Sequence, residues 1–209
     1  MKKQSAYAIT RDKFMSSDEA KKLMKVCRER GALDLLKGRS TWVTRYMLAH
    51  VALSSGLRVS EIAALKMEDL FLNGKENYLI VRNGKGDKKR DVYLDSELSK
   101  HLKEYIDLKK KTWREPVQKD SPFLAGRGGK HFTTTALEIS FKKAIAEAGL
   151  PDHYSIHSAR HTYATIMLAK TNNLRFVQKQ LGHASLNMTA LYADVLPEMN
   201  QDLANAILD

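Results

Sequence analysis

Two segments of this chain are the most informative about its fold and function: SIHSARHTYAT at residues 155–165, and LGHASLNMTALYAD at residues 181–194. They bring together side chains that suit chemistry on a phosphate. The guanidinium of Arg160 offers a planar fork of donors for an anion, and His157 and His183 exchange protons near neutral pH. The hydroxyl of Tyr192 has an ordinary pKa of about 10 and becomes a nucleophile when a base and a cationic site lower that pKa.

A second arginine lies far upstream, in the sequence GLRVSE at residues 56–61. Gly56 breaks one helical pattern and Ser60 is the expected N-cap of the next, so Arg58 lies just before a predicted helix. Free backbone N–H groups and the helix dipole make that position suitable for binding an anion.

A predicted hairpin carries a lysine at its tip. Strand patterns at residues 78–82 and 91–94 flank the sequence NGKGDK, in which Lys85 stands between two glycines. The pattern alone favours a solvated hairpin whose charges protect a sheet edge. A lysine that closes over a substrate is the alternative.

Together these motifs resemble the catalytic domain of the tyrosine recombinases, also called phage integrases. The matches in chain order are Arg58 to the first family arginine, Lys85 to the hairpin lysine, His157-x-x-Arg160 to the central box, Leu181-Gly182-His183 to the third box, and Tyr192 to the nucleophile. Each box is common by chance, but all of them in family order along essentially the whole chain make the resemblance specific.

The resemblance implies a site-specific recombinase that cleaves and rejoins DNA strands through a 3′-phosphotyrosyl intermediate, with Tyr192 attacking phosphorus. Arg58 and Arg160 would neutralise the non-bridging oxygens and stabilise the additional charge of the transition state. His183 would donate a further hydrogen bond to the same phosphate. The covalent link stores the bond energy, so no ATP is needed, and we expect no cofactor and no metal.

The resemblance also assigns the proton transfers. His157 is the candidate for accepting or relaying the tyrosyl proton, and Lys85 is the candidate general acid for the leaving 5′-hydroxyl, which outweighs the edge-protection interpretation of that residue. Glu61 is expected to orient active-site groups, although a carboxylate that favours the helix dipole is an equal alternative. His161, adjacent to Arg160, either supports the site from the second layer of residues or is structural.

Composition agrees with a polyanionic partner. The 209 residues include 35 Lys and Arg against 24 Asp and Glu, a formal net charge of +11. The resemblance implies that the partner is double-stranded DNA and that the protein, a monomer in isolation, assembles as a tetramer on two DNA sites. Accessory proteins are possible further partners. The single Cys27 excludes an intramolecular disulfide and a cysteine metal cluster. No apolar run suggests a signal peptide or membrane span, so a cytoplasmic, DNA-associated protein is expected.

Helical periodicity dominates the chain, so the predicted fold class is mainly α with a small antiparallel β-sheet (α+β), as in the tyrosine-recombinase catalytic domain. We expect a single catalytic domain over residues 1–209, with an N-terminal arm at residues 1–15 and a C-terminal helix at residues 198–209. The separate N-terminal core-binding domain usual in the family is expected to be absent.

Local patterns give further expectations. Ser16-x-x-Glu19 predicts a capping box at the start of the first helix. Gly31 is predicted to begin a loop that runs to Arg39, and Ser158 to begin the helix that carries Arg160.

Two other functions fit some of these features. A type IB topoisomerase-like enzyme would use the same types of catalytic residue, namely arginine, lysine, histidine and tyrosine. However, Leu-Gly-His183 nine residues before Tyr192 is typical of recombinases. A non-catalytic DNA-binding regulator would not need Tyr192. Tyr163 competes with Tyr192 as the nucleophile on chemistry alone, but its place on the predicted buried face of its helix indicates core packing.

Overall fold

The computed structural model describes residues 9–82 and 89–195, where helices dominate. The helices are α1 Ser17–Leu36, α2 Thr41–Ser55, α3 Val59–Ala64, α4 Ser96–Lys111, α5 Thr134–Glu147, α6 Ile156–Thr171, α7 Leu174–Leu181 and α8 Asn187–Ala190. Short 3-10 turns lie at Arg11–Lys13, Met67–Asp69, Arg127–Gly129 and Ala193–Val195. The predicted C-terminal helix at residues 198–209 lies outside the described residues.

A small sheet joins the helices on one side. Its strands are β1 Leu70–Phe71, β2 Tyr78–Val81 and β3 Arg90–Tyr93, antiparallel in the order β1-β2-β3. Only β1 was not predicted, because two residues are too few to show an alternating pattern. The predicted fold class, mainly α with a small antiparallel sheet, is confirmed.

The first helix begins as predicted and ends later than predicted. The Ser16 hydroxyl accepts from the Glu19 amide at 3.1 Å, and the Glu19 carboxylate accepts from the Ser16 amide at 2.7 Å. The loop predicted from Gly31 onward is wrong, because α1 continues to Leu36. Gly31 is buried against the start of α2, so packing between the two helices overrides its poor helix propensity.

Helix α2 forms the centre of the main hydrophobic core. Its Met47, Leu48 and Val51 are buried among side chains from α1, α4, α5 and the sheet, including Leu23 and Phe141. Close packing of this kind fixes the C-terminal end of α2, from which the site described below begins. Within the described residues, none of the helices combines the length and apolarity needed to cross a bilayer.

A second, smaller core forms where α6 and α7 meet the ends of the described chain. Ile9 and Phe14, from the segment predicted as an arm, pack there with Val177 and Leu181 of α7. Tyr192 is buried in the same cluster. The predicted nucleophile therefore belongs to a core and does not lie on a free surface.

The turn between α2 and α3 depends on a glycine. Gly56 has φ +63°, a left-handed conformation that side chains with a Cβ adopt at a cost. A Cβ added there would lie 2.4 Å from the ring of Tyr163 and 2.9 Å from Leu181. The turn brings the chain close to α6 and α7, and only glycine fits.

We expect Gly56→Ala to lower the free energy of unfolding by about 2–4 kcal/mol, since it combines a strained φ with overpacking. Gly38→Ala is the matched control, because Gly38 has φ +66° with nothing within 4 Å of an added Cβ. The control should lose only about 1 kcal/mol. Urea unfolding measures both, and equal losses in the two variants would contradict the close approach at Gly56.

Candidate active site

Arg58 occupies the N-cap position of α3, where Ser60 was expected. The Glu61 carboxylate accepts the Arg58 backbone amide at 2.8 Å and its Nη1 at 2.8 Å. The prediction of Ser60 as N-cap is wrong by two residues, because Glu61 reaches back to the chain from the third helical position. Glu61 therefore holds both the backbone and the side chain of Arg58.

Arg160 links two turns that are far apart in sequence. Its helix, α6, begins at Ile156 with Ser155 as the cap, so the predicted start at Ser158 is wrong. The Arg160 guanidinium is buried and donates to the carbonyls of Gly56 and, at 2.9 Å, Leu181. Burial, together with the nearby Arg58, lowers the pKa of Arg160 to about 10, which keeps it charged at neutral pH.

His183 follows the second turn. Gly182 ends α7 in a left-handed conformation, φ +65°, and His183 comes directly after it, as predicted. Its Nδ1 lies 2.9 Å from the hydroxyl of Thr189, and its ring is stacked on Tyr192, with centroids 6.3 Å apart and planes inclined by 8°. Burial and the neighbouring Arg160 and Arg58 lower the pKa of His183 to about 4.

Tyr192 lies against His161. Its hydroxyl is 2.9 Å from His161 Nδ1, and only 2% of the residue is exposed. His157 lies one helical turn earlier on α6 and places its ring edge-on to His161, with centroids 4.4 Å apart. The imidazole in contact with the tyrosyl oxygen is thus the one predicted to have a supporting or structural role.

Arg90 is a residue that the sequence reasoning missed. It begins β3 and forms a forked ion pair with Glu61, from Nη1 to Oε1 at 2.9 Å and from Nη2 to Oε2 at 2.8 Å. Its Nε donates to the carbonyl of Gln180 at 3.0 Å. The signal was present in the strand alternation, because Arg90 shares its face with the buried Val92 and must point inward.

The described chain therefore brings most of the predicted residues together. Two turns, at Gly56 and Gly182, are joined by Arg160 and carry Arg58 and His183 respectively. Lys85 lies outside the described residues. Although burial acts to raise the pKa of Glu61, hydrogen bonds and charges from Arg90 and Arg58 lower it, so the carboxylate is ionised.

The buried imidazoles predict a loss of stability in acid. Burial, with neighbouring positive charges, holds the pKa of His161 and His183 at about 4, against about 6.5 for a free histidine. The unfolded chain therefore binds protons first, so this stability is fully present above pH 6.5 and declines as the pH falls towards 4.

Urea unfolding at pH 7, 5.5 and 4.5 measures that decline. His183→Asn should reduce its slope by up to about one proton, or about 1.4 kcal/mol per pH unit. Nitrogen chemical shifts should show both imidazoles uncharged at pH 5.5. Charged imidazoles at that pH would contradict the burial described above.

Comparison with known sequences identifies relatives along most of the chain. The model of the phage integrase family matches residues 13–199. The tyrosine recombinase XerC of Bradyrhizobium diazoefficiens is 31% identical over 159 residues, 75% of this chain and 48% of that protein. XerC of Chlamydia caviae is 35% identical over 142 residues, 68% of this chain and 44% of that protein. The chain thus spans about half the length of these relatives.

Comparison with solved structures gives the same result. The XerA recombinase superposes with a TM-score of 0.74 at 26% identity, over 99% of this chain and 66% of that one. The XerH site-specific recombinase, bound to a palindromic difH substrate after cleavage, has a TM-score of 0.73 at 25% identity, over 94% and 53%. With the family motifs spread over helices that fold in the same way, the chain belongs to the phage integrase family of tyrosine recombinases.

Proposed function

We propose that residues 1–209 act as the catalytic domain of a site-specific recombinase, which cleaves double-stranded DNA and rejoins it through a 3′-phosphotyrosyl intermediate without metal or ATP. The observation that carries the proposal is the pair of hydrogen bonds from Arg160 to the Gly56 and Leu181 carbonyls, since they hold Arg160 between the turn that carries Arg58 and the turn that carries His183. The excess of basic residues and the DNA substrate of the similar XerH structure support DNA as the partner.

The phosphate is bound by Arg58 and Arg160 in this proposal. Each guanidinium has five N–H donors, and within the described residues Arg160 gives two hydrogen bonds to carbonyls while Arg58 gives one to Glu61. The other donors can contact the non-bridging oxygens and the charge that develops on them in the transition state. His183 adds a donor through Nε2, because Nδ1 contacts Thr189.

The nucleophile has to move before it can attack. Tyr192 is almost completely buried, and its hydroxyl lies against His161. We propose that this contact belongs to the DNA-free arrangement and that His157, whose lowered pKa keeps it uncharged, accepts or relays the proton once Tyr192 reaches phosphorus. The lowered pKa follows from burial and from the charges of Arg160 and Arg58.

A suicide substrate tests the proposal. Duplex DNA with a nick near the cleavage position loses its short 5′-hydroxyl fragment after attack, so the covalent intermediate accumulates. A denaturing gel should then show a protein–DNA adduct that resists heat and carries DNA at Tyr192. Strand exchange between two duplexes should accompany it, whereas supercoil relaxation without exchange would favour the topoisomerase-like alternative. Specific binding with no adduct on any suicide substrate would favour the non-catalytic regulator.

Lys85 is proposed as the general acid that protonates the leaving 5′-hydroxyl. We expect Lys85→Ala to slow cleavage by about 10²–10⁴-fold, the usual contribution of general acid catalysis. A substrate with sulfur at the bridging 5′ position has a leaving group that needs no proton, so the variant should approach the wild-type rate on it. If sulfur fails to restore cleavage, Lys85 positions the DNA and the acid is another group.

We also propose that the protein is a cytoplasmic, DNA-associated monomer that assembles as a tetramer on two sites. The family resemblance supports this assembly. Sedimentation of the protein alone and with two-site DNA tests it, and a complex that never exceeds one subunit per duplex would contradict it.

A further inference from the structure

The geometry points to Arg90 as a positioning residue that holds Glu61, and through it Arg58, in the orientation needed to bind the phosphate. The inference rests on the proposed function. Two arginine side chains bind the Glu61 carboxylate. Arg90 binds both of its oxygens, while Arg58 Nη1 contacts one. A single carboxylate thus faces two guanidinium groups in unequal ways.

The inequality matters because Glu61 is buried. An ionised carboxylate removed from water needs a counter-charge and hydrogen bonds to both oxygens. Arg90 supplies both through its fork, so Arg58 can keep most of its donors for a substrate. Oε2 also accepts the Arg58 backbone amide, but that amide carries no charge. Without Arg90, more of the counter-charge must come from Arg58, whose guanidinium would turn to bind both oxygens and leave the phosphate position.

The third donor of Arg90 ties this pair to the other half of the site. Nε binds the Gln180 carbonyl in the last turn of α7, where backbone acceptors lack helical partners. The side chain passes so close to the following turn that a Cβ on Gly182 would lie 2.8 Å from Arg90 Cδ. Arg90 therefore fixes the distance between the Arg58 turn and the turn that carries His183.

Lysine cannot replace this arrangement. Three directed N–H groups, two for a carboxylate and one for a carbonyl, need a planar guanidinium, whereas an ammonium is a point charge. Arg90→Lys keeps a positive charge beside Glu61, so this variant should still fold, but it loses the paired guanidinium donors. Arg90→Ala removes both.

The test compares adduct formation on the suicide substrate by the wild-type chain, Arg90→Lys and Arg90→Ala. Partners that orient metal ligands typically contribute about 10–100-fold. By analogy, we expect Arg90→Ala to lose about that factor and Arg90→Lys to recover only part of it. Arg82→Ala is the matched control, because Arg82 directly after β2 pairs with Asp69 and Glu68, away from Glu61. It should leave the proposed phosphate contacts intact.

Two readouts separate positioning from mere structural support. First, Arg90→Ala should cost little in an Arg58→Ala background, because it acts through Arg58. Secondly, a methylphosphonate substrate lacks the charge of one non-bridging oxygen. On this substrate the loss of adduct-formation rate caused by Arg90→Ala should be smaller, whereas a loss caused by general misfolding should stay the same. A wild-type rate in Arg90→Ala, or the same loss with and without Arg58, would overturn the inference.

A measurement that needs no catalysis keeps the two proposals distinct. Rotation of the Arg58 guanidinium, followed by nitrogen NMR, should slow in Arg90→Ala as Arg58 takes both oxygens of Glu61. If the wild-type chain forms no adduct, the proposed function fails, and slowed rotation would still support the contact inferred for Arg90. Unchanged rotation together with an active wild-type chain would leave the function standing and overturn the role of Arg90.

Discussion

Replacing Tyr192 with phenylalanine should remove the covalent protein–DNA adduct entirely. The change deletes one oxygen and its contact with His161 but keeps the ring stacked on His183, so we expect the fold to be retained. Removing a catalytic nucleophile typically costs on the order of 10⁶-fold in rate, so adduct formation should fall below detection. DNA binding, measured by gel shift at fixed salt, should stay within about twofold, because no phosphate-binding cation is touched.

Tyr163→Phe is the matched control for that result. Tyr163 lies on the neighbouring helix α6 and is the rival nucleophile on chemistry alone. It is buried, its hydroxyl has no hydrogen-bond partner among the described residues, and burial raises its pKa well above the usual range. Deleting an unsatisfied buried hydroxyl should leave stability unchanged or slightly higher and cleavage unchanged. An adduct that persists in Tyr192→Phe and vanishes in Tyr163→Phe would show that Tyr163, and not Tyr192, is the nucleophile.

Arg160→Ala should affect cleavage and stability together. Loss of a preorganised donor to a developing charge typically costs about 10²–10³-fold in rate. The same change leaves the buried carbonyls of Gly56 and Leu181 without their donor, at about 1–3 kcal/mol for each unsatisfied group. Stopped-flow adduct formation and urea unfolding measure the two losses on one preparation.

Arg45→Ala shows which part of that loss is specific to the site. Arg45 is also a buried arginine, but it lies near the start of α2, stacked 4.2 Å above Trp42 and bonded to Ser140. The control should lose stability without losing cleavage when both proteins are assayed below their unfolding range. Equal loss of cleavage in the two variants would mean that Arg160 acts only through the fold.

Much of this site can be predicted from local sequence. Gly182 and His183 show why, because a glycine after a helical pattern both ends the helix and places the next residue at a junction. The order of the motifs then indicates that distant turns meet. The mainly helical fold with a small sheet follows from hydrophobic periodicity in the same way.

The remaining features depend on tertiary contacts that local patterns do not encode. Helix α1 runs through Gly31 because α2 packs against it. In the sequence, Arg90 is one of several charged residues near the predicted hairpin. Its role follows from its contacts with Glu61 and Gln180, which belong to two other elements. The pairing of Tyr192 with His161 likewise depends on how the last described turns fold back on α6.

Arg160 holds two turns together in the fold and binds the phosphate in the proposed function, and these two roles have an evolutionary consequence. A residue that both fastens the fold and binds the substrate cannot drift away without the protein being lost to unfolding and degradation. Tyr192 contributes less to the fold, since phenylalanine would preserve its packing and lose only the hydroxyl contact with His161. Descendants that abandon cleavage but keep recognising DNA should therefore lose the tyrosine early and the arginine last, so an intact arginine in a homologue is poor evidence of activity and an intact tyrosine is better.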